Sequence, residues 1–425
     1  MAKLALADIR IIDSTQIWAG PYCTRLLADL GAEVIKIETH KRPDLVRGPV
    51  VPPPPSLLGG TAVYPNRQPG ERPWNRSAYF NKVNRNKLEV TLDLSTPEGK
   101  EVFLRMVKVG DVVIDNFTVR VMQNFGLTYE VIKAVKPDII QVRMPGWGMT
   151  GPYREYASWG TGVEAMAGMS SLLGYRDGLP MTSSMSYGDP LGGLNAAFAI
   201  LAAIHYRRQT GQGQFIDVCQ IEGAMSMIGE AFMDYSLNGR IPGRLGNRHP
   251  SMAPCGAYRA KGDDAWIAIA VANDKQWQAL CQVMGKPELA QDKRFADTLG
   301  RWHNHDELDK IIEEWTFDRD GYEMMHQLQK VGVAAGPVLK ADGVVNEPHL
   351  NARGFFEMVN HPDAGRHKLL GVPTRLSKTP GSIRFGAPML GQHNKYIFKE
   401  LLGMSDEEIA ELEKKGVSSE RPIMP

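Results

Sequence analysis

The chain has 425 residues, with 49 Lys and Arg against 48 Asp and Glu, a formal net charge of +1. That balance argues against nucleic-acid binding through a large positive field. With 43% hydrophobic and 23% charged residues, the composition is that of a globular protein able to bury a sizeable core, at a length suited to two or three domains.

No stretch approaches the roughly 20 apolar residues of a membrane helix. The opening MAKLALADIR carries charges inside its short apolar run, unlike a secretory signal. A cytoplasmic location is therefore expected, with no membrane partner. Cys23, Cys219, Cys255 and Cys281 form no CxxC pair and are expected to be reduced thiols. Cys255, between Pro254 and Gly256, is placed in a loop.

The first half alternates strand and helix patterns. Arg10–Ile12 reads as a strand, followed by a loop from Asp13 to Gly20. Pro21 opens a helix running to Leu30, where Gly31 stops it. Glu33–Ile37 and Leu88–Leu92 read as strands. Ser95-Thr96-Pro97-Glu98 caps a helix. Val112–Ile114 is a strand, Val119–Phe125 a helix and Ile139–Val142 a strand. This rhythm predicts a mostly parallel, doubly wound sheet with ligands at the carboxyl ends of its strands. Leu191–Arg208 is a long apolar helix ended by Gly211. Phe215–Val218 is a strand and Gln220–Leu237 a further helix. A second α/β unit follows, with strands at Trp266–Val271 and Ala335–Leu339. Its helices are expected at Asp274–Met284, Glu307–Trp315 and Gly321–Gln329. A terminal amphipathic helix covers Asp406–Lys415. The segment Pro49–Arg76, with eight prolines and a run at Pro52–Pro55, reads as a surface insertion or a lid.

Motif searches exclude several chemistries. No GxxxxGK[ST], GxGxxG after the first strand, HExxH, GxSxG or EF-hand loop occurs. Thr210-Gly211-Gln212-Gly213-Gln214 links a helix to a strand, the reverse of a phosphate loop. His303 and His305 are two apart, which does not bring them to one helix face, so no metal site is expected. The carboxylate of interest is Asp189, in Ser186-Tyr187-Gly188-Asp189-Pro190-Leu191-Gly192-Gly193. Asp before Pro at a helix start reads as an N-cap. The glycines around it also leave room for a ligand. A carboxylate at a helix N-terminus is expected to stay ionised and able to attack an activated carbonyl.

Several landmarks, in order, make the chain recognisable. They are Ala19-Gly20-Pro21, then Leu30-Gly31-Ala32-Glu33-Val34-Ile35-Lys36-Ile37-Glu38, then Asn84-Arg85-Asn86-Lys87. Thr96-Pro97-Glu98-Gly99, Asp115-Asn116-Phe117, Gly151-Pro152-Tyr153 and Thr210–Gln214 complete the set. With these the chain resembles the family III coenzyme A transferases, which include formyl-CoA transferase and carnitine CoA-transferase, over nearly its whole length. The resemblance implies that Asp189 is the nucleophile. It places Gln16, Trp18, Ala19, Val83, Asn84, Arg85, Asn86, Asn116, Phe117, Thr118, Met144, Pro145, Gly146 and Trp147 along the CoA. Arg85, Lys87 and Arg143 are candidates for its phosphates, or ordinary surface charges. Arg248, His249 and Gly256 stand where formyl-CoA transferase has a glycine-rich loop over its site, and the difference points to another acid.

The implied fold is a Rossmann-like doubly wound parallel sheet with a second, smaller α/β domain, in an interlocked dimer. Residues 1–225 would form the large CoA-binding domain, 226–340 a linker and small domain, and 341–425 the return to the large domain. The implied reaction moves CoA from a succinyl-CoA-type donor to a carboxylic acid through an aspartyl-CoA thioester. Trp147, Trp159, Met166, Met169, Met181 and Met185 suit a broad apolar pocket or are simply core, and the resemblance to members acting on larger, often aromatic acids implies a bulky, aromatic acceptor of the benzylsuccinate kind. No permanently bound cofactor or metal is expected, and the partner would be a second copy or a close homologue. Two alternatives stand. One is an acyl-CoA racemase of the same fold, against which Trp159 occupies the place of that branch's catalytic His. The other is a non-catalytic CoA-binding subunit of a heteromeric transferase.

Overall fold

A computed structural model describes residues 4–51 and 63–423; the run Pro52–Pro55 lies outside the described residues. Six short strands make one sheet: β1 (Arg10–Asp13), β2 (Glu33–Glu38), β3 (Lys87–Thr91), β4 (Val112–Asp115), β5 (Ile140–Arg143) and β6 (Gln214–Asp217). Their order is 3-2-1-4-5-6, and every neighbouring pair is parallel. The register sets Ile11 beside Val34 and Val112, and Ile12 beside Ile35 and Val113. Side chains alternate along a strand, so these two rows face opposite sides. The first row packs with α1 (Ala19–Asp29) and α2 (Gly188–Thr210). The second packs against Phe103 and Met106 of helix Pro97–Val109, and against Ile397, Phe398 and Leu412 from the carboxyl-terminal part. Both faces of the sheet are covered, and the ionisable side chains that its strands carry are paired inside, Lys36 with Asp44, Glu38 with Arg47 and Lys87 with Asp13.

Local signals explain the ends. Thr96 accepts the Gly99 amide at 3.0 Å and starts Pro97–Val109. Gly211, at φ +73°, closes α2 in a left-handed C-cap. Ser405 and Glu408 form a capping box on Asp406–Lys414. The outer edge of β3 is covered by the returning chain. His393 donates to the Glu89 carbonyl at 3.0 Å, and Asn394 accepts the Thr91 amide at 2.9 Å. Both bonds blunt an edge that would otherwise be open to pairing.

The chain divides into two compact units: Met1–Met169, Thr182–Phe232 and Asn351–Pro425 in one, Ser170–Met181 and Met233–Leu350 in the other. The second holds an antiparallel sheet of β7 (Cys255–Arg259), β8 (Trp266–Ala270) and β9 (Ala334–Pro337). Its core includes Tyr258, Ile267, Trp277, Leu280, Ile312 and Trp315.

Two expectations change. Cys255 opens β7 opposite Ala270 instead of lying in a loop. The continuous helix expected over Gln220–Leu237 breaks into Gln220–Met225, a 3₁₀ turn at Ser226–Ile228, and Gly229–Asn238. The Ser226 hydroxyl donates to the Gly223 carbonyl at 2.7 Å, the local side-chain bond that competes with α-helical pairing. No helix among the described residues is long and apolar enough to cross a membrane.

Candidate active site

The strand order reverses between β1 and β4, and at such a point the loops after the strands diverge and leave a crevice. Here those loops are tied together. Gln16 donates its amide to Asn116 Oδ1 at 2.8 Å, and Asn116 Nδ2 donates to the Gln16 carbonyl at 2.8 Å. Below them Asp13, fully buried, accepts from the Thr15 amide (2.9 Å), the Thr24 hydroxyl (2.6 Å) and Lys87 Nζ (3.1 Å). Burial alone would raise its pKa, but Lys87, Lys36 and the hydroxyls of Thr15 and Thr24, both donating to it, outweigh this and hold it below the ordinary value.

Asp189 lies in the first turn of α2. It is not the N-cap that the sequence suggests: Tyr187 takes that place, with no side-chain cap. Its carboxylate instead faces the backbone amide of Ala19, the first residue of α1, which favours the charged form. That amide is one of the helix-end donors without an intrahelical partner. Two glycines make the approach possible. A Cβ on Gly160 would stand 2.0 Å from Asp189 Oδ2, and one on Gly193 would stand 2.6 Å from the Ala19 carbonyl. Fully buried Glu164 secures the preceding turn by accepting from the Ser183 amide (3.1 Å), the Ser183 hydroxyl (2.6 Å) and the Tyr187 amide. Ser184 and Ser186 there hold φ values of +59° and +49°. Burial pushes the Asp189 pKa up to about 6; the Ala19 amide lowers it and Glu164 adds to the rise. The positive helix end therefore does not set the ionisation, because loss of water outweighs it. At neutral pH the group is still mostly a carboxylate.

The residues expected along CoA divide into groups. Trp18 and Val83 line a cavity of ≈ 540 Å³ with Ile17, Ser77, Tyr79 and Lys82. Lys82, which the sequence reading did not single out, puts Nζ 4.2 Å from the centre of the Trp18 ring. Its place next to Val83 was the available signal. Burial, then Arg25, lowers its pKa. Asn116, Phe117 and Thr118 follow β4 directly, and the Phe117 amide donates to Asp115 Oδ1 at 3.2 Å. Met144 to Trp147 follow β5. The Met144 carbonyl accepts from Gln220 Nε2 at 2.9 Å, and the Pro145 and Gly146 carbonyls accept the Gln220 and Ile221 amides. Trp147 meets Tyr153 edge-on at 5.5 Å.

Other residues are engaged elsewhere. Asn84 is buried between the Phe80 carbonyl and Lys87 Nζ. Arg85 makes a two-pronged bond to Asp29, at 3.0 and 2.8 Å, and Asn86 joins it at 2.9 Å. Asp29 ends α1, about 15 Å from Ala19 at 1.5 Å per residue. Arg85 and Asn86 thus brace the far end of that helix, and the returning chain at Ser382 and Arg384. Lys87 pairs with Asp13 and Arg143 with Asp115 at 3.2 Å. The structure corrects the alternative reading of Arg85, Lys87 and Arg143 as ordinary surface charges: all three are buried and paired with carboxylates.

In the second unit, Arg248 and Gly256 line a cavity of ≈ 700 Å³ with Tyr258, His305, Asp306 and Asp309. Arg248 is paired with both Asp306 and Asp309, the latter at 2.8 Å. His249 accepts the Ser251 amide at 3.2 Å, and Gly256 sits in β7 opposite Ile269. Of the acceptor candidates, Trp159, Met166 and Met185 are exposed in the first unit and Met181 in the second.

Residues 6–394 match the family model described as CoA-transferase family III. The chain is 36% identical, over 97% of its length and 98% of the relative's, to succinyl-CoA–D-citramalate CoA-transferase of Chloroflexus aurantiacus. It is 32% identical, over 97% and 98%, to the beta subunit of succinyl-CoA–L-malate CoA-transferase of the same organism. Among solved structures, a CAIB/BAIF family protein from Brucella suis superposes with a TM-score of 0.81 at 32% identity, covering 94% of this chain and 100% of that one. The parallel sheet, the loops at its carboxyl edge and these likenesses over the full length agree: the chain belongs to family III of the CoA-transferases and is an enzyme of that class, acting on CoA thioesters.

Proposed function

We propose that the chain carries CoA from succinyl-CoA to a dicarboxylic acid, with Asp189 as covalent nucleophile. The observation that carries this reading is the Asp189 carboxylate itself, backed by Gly160, held by the Ala19 amide and mostly ionised at neutral pH. A carboxylate oxygen attacks the thioester carbonyl and the C–S bond breaks, giving a mixed anhydride and CoA thiolate. The thiolate attacks the aspartyl carbonyl and the anhydride C–O bond breaks, leaving an aspartyl-CoA thioester and free succinate. The acceptor carboxylate repeats the steps in reverse. No net proton moves, so no second base is required, whereas a racemase needs one at the α-carbon. Trp159 stands at the cap of Gly160–Met166 where that branch would place its His. The acid limb of kcat/KM is expected near pH 6, with transfer falling as Asp189 protonates below it. A flat profile from pH 5 to 8 would contradict this.

The CoA is placed over the Trp18–Val83 cavity in the Rossmann-like sheet, along Gln16, Ala19, Asn116–Thr118 and Met144–Trp147. Trp18→Ala is expected to raise KM for succinyl-CoA about tenfold with little change in kcat, the signature of lost uniform binding. Unchanged KM would move the CoA elsewhere.

The acceptor class draws on the two relatives, whose names specify citramalate and malate. A bulkier acceptor such as benzylsuccinate is the second reading, favoured by Trp159, Met166 and Met185 standing exposed rather than in the core. Comparing kcat/KM for citramalate, malate, benzylsuccinate, formate and oxalate decides it. A tenfold preference for formate or oxalate would reject both.

A second copy of this chain is expected to cover α2 in an interlocked homodimer. Leu194, Phe198 and Leu201 lie along one face of that helix, with Phe198 75% exposed. An active monomer in sedimentation would exclude this. Dependence on a different, homologous subunit would favour the heteromeric arrangement.

A further inference from the structure

The turn that brings the Ala19 amide to Asp189 is strained, and buried side chains hold it. Ile17 has φ +70°, in the left-handed region that a β-branched side chain avoids. Its amide donates to Asp44 Oδ1 at 2.9 Å. The other carboxylate oxygen of Asp44 pairs with Lys36 Nζ at 3.1 Å, and Lys36 also donates to the Thr15 carbonyl at 2.7 Å. Both side chains are fully buried. Asp44 is fixed in turn, because its amide donates to Glu38 Oε1 at 2.9 Å and its Oδ1 accepts the Val46 amide at 3.2 Å. Between these grips, Gln16 is held on both backbone groups by Asn116. The Thr15 carbonyl, both Gln16 backbone groups and the Ile17 amide are thus all bound by side chains from other segments. Two residues beyond Ile17, the Ala19 amide faces Asp189. Ile17 and Trp18 themselves line the ≈ 540 Å³ cavity.

We propose that Lys36 and Asp44 are positioning residues: they clamp Ile17 in its left-handed conformation and so hold Trp18 at the CoA cavity and aim the Ala19 amide at Asp189. Neither touches the reacting atoms. Strain that persists at a site only because its surroundings over-determine it is a recognised means of preorganisation. The clamp rests on the reading of Asp189 as nucleophile, but its own signature is separable. A glycine at position 17 adopts φ +70° without help, so it should replace part of what Asp44 does.

The test compares wild type, Asp44→Ala, Ile17→Gly and the double variant, using succinyl-CoA with citramalate. Asp44→Ala is expected to lower kcat at least tenfold and to move the acid limb upward, because Asp189 loses a well-aimed amide while Glu164 still faces it. Adding Ile17→Gly to Asp44→Ala is expected to recover kcat at least fivefold. Values of kcat within twofold of wild type for Asp44→Ala, or no recovery in a folded double variant, would overturn the proposal. If Asp44→Ala does not fold, Lys36→Gln takes its place, with a fivefold loss of kcat and the same rescue expected; unchanged kcat would overturn the clamp. If Asp189→Asn keeps its turnover, the nucleophile reading falls, and titration of tryptophan fluorescence with CoA still reads the clamp. Asp44→Ala should then weaken CoA binding tenfold, with recovery in the double variant, and unaltered binding would overturn it.

Discussion

Asp189→Asn is expected to reduce CoA transfer by at least about 10³-fold, since loss of a covalent nucleophile removes the pathway rather than one contact. The amide retains the shape of the side chain and its place in the first turn of α2. It cannot form the anhydride. The same substitution should also raise thermal stability at neutral pH. The folded-state pKa of Asp189 is raised to about 6 from an ordinary 3.8. Between those values the folded state binds more protons than the unfolded one, so stability falls as pH rises through the window. The neutral Asn escapes that cost. Its Tm should exceed wild type at pH 7, and the gap should close toward pH 4. Equal loss of activity and Tm would instead mark Asp189 as structural.

Gly160→Ala is the second large effect. The added Cβ would lie 2.0 Å from Asp189 Oδ2 and 2.5 Å from Ser186 Cβ, far inside contact distance. The carboxylate must then swing away from the Ala19 amide, or the turn at Ser186 must shift. A displacement near 1 Å at a reacting group costs on the order of 10² in rate, and overpacking costs about 1–3 kcal/mol of stability. We expect kcat to fall about 10²-fold, with KM for succinyl-CoA changed less than threefold because the Trp18 cavity is untouched. Steady-state kinetics with varied succinyl-CoA checks both numbers. A KM effect as large as the kcat effect would mean that Gly160 serves binding instead of Asp189.

The parallel sheet was readable from short segments rich in Val and Ile, such as Ile11-Ile12, Val34-Ile35 and Val112–Ile114, alternating with helices marked by Pro21, Gly31 or a cap such as Thr96. Helix ends with chemical markers, Thr96 and Gly211, were readable from those residues. The break after Met225 was not, since a Ser that bonds back to Gly223 looks like any helix-interior Ser until its hydroxyl is placed. Nor could the sequence show which way Arg85, Lys87 and Arg143 point. Their partners Asp29, Asp13 and Asp115 lie 56, 74 and 28 positions away. A charge that looks like a surface charge in one dimension is neutralised in three. Asp189 was legible as a candidate through its glycines. Its actual hold was not, because the amide that faces it comes from α1, far away in the chain, rather than from its own helix.

The most direct measurement is the mass of the protein during turnover. Incubated with succinyl-CoA and no acceptor, then quenched in acid, wild-type chain should carry an added mass equal to CoA less one water, mapped to the peptide holding Asp189. Hydroxylamine should convert that adduct to the hydroxamate of Asp189, and Asp189→Asn should carry neither. Full transfer activity with no adduct on Asp189, or with an adduct on another residue, would contradict the covalent aspartyl route.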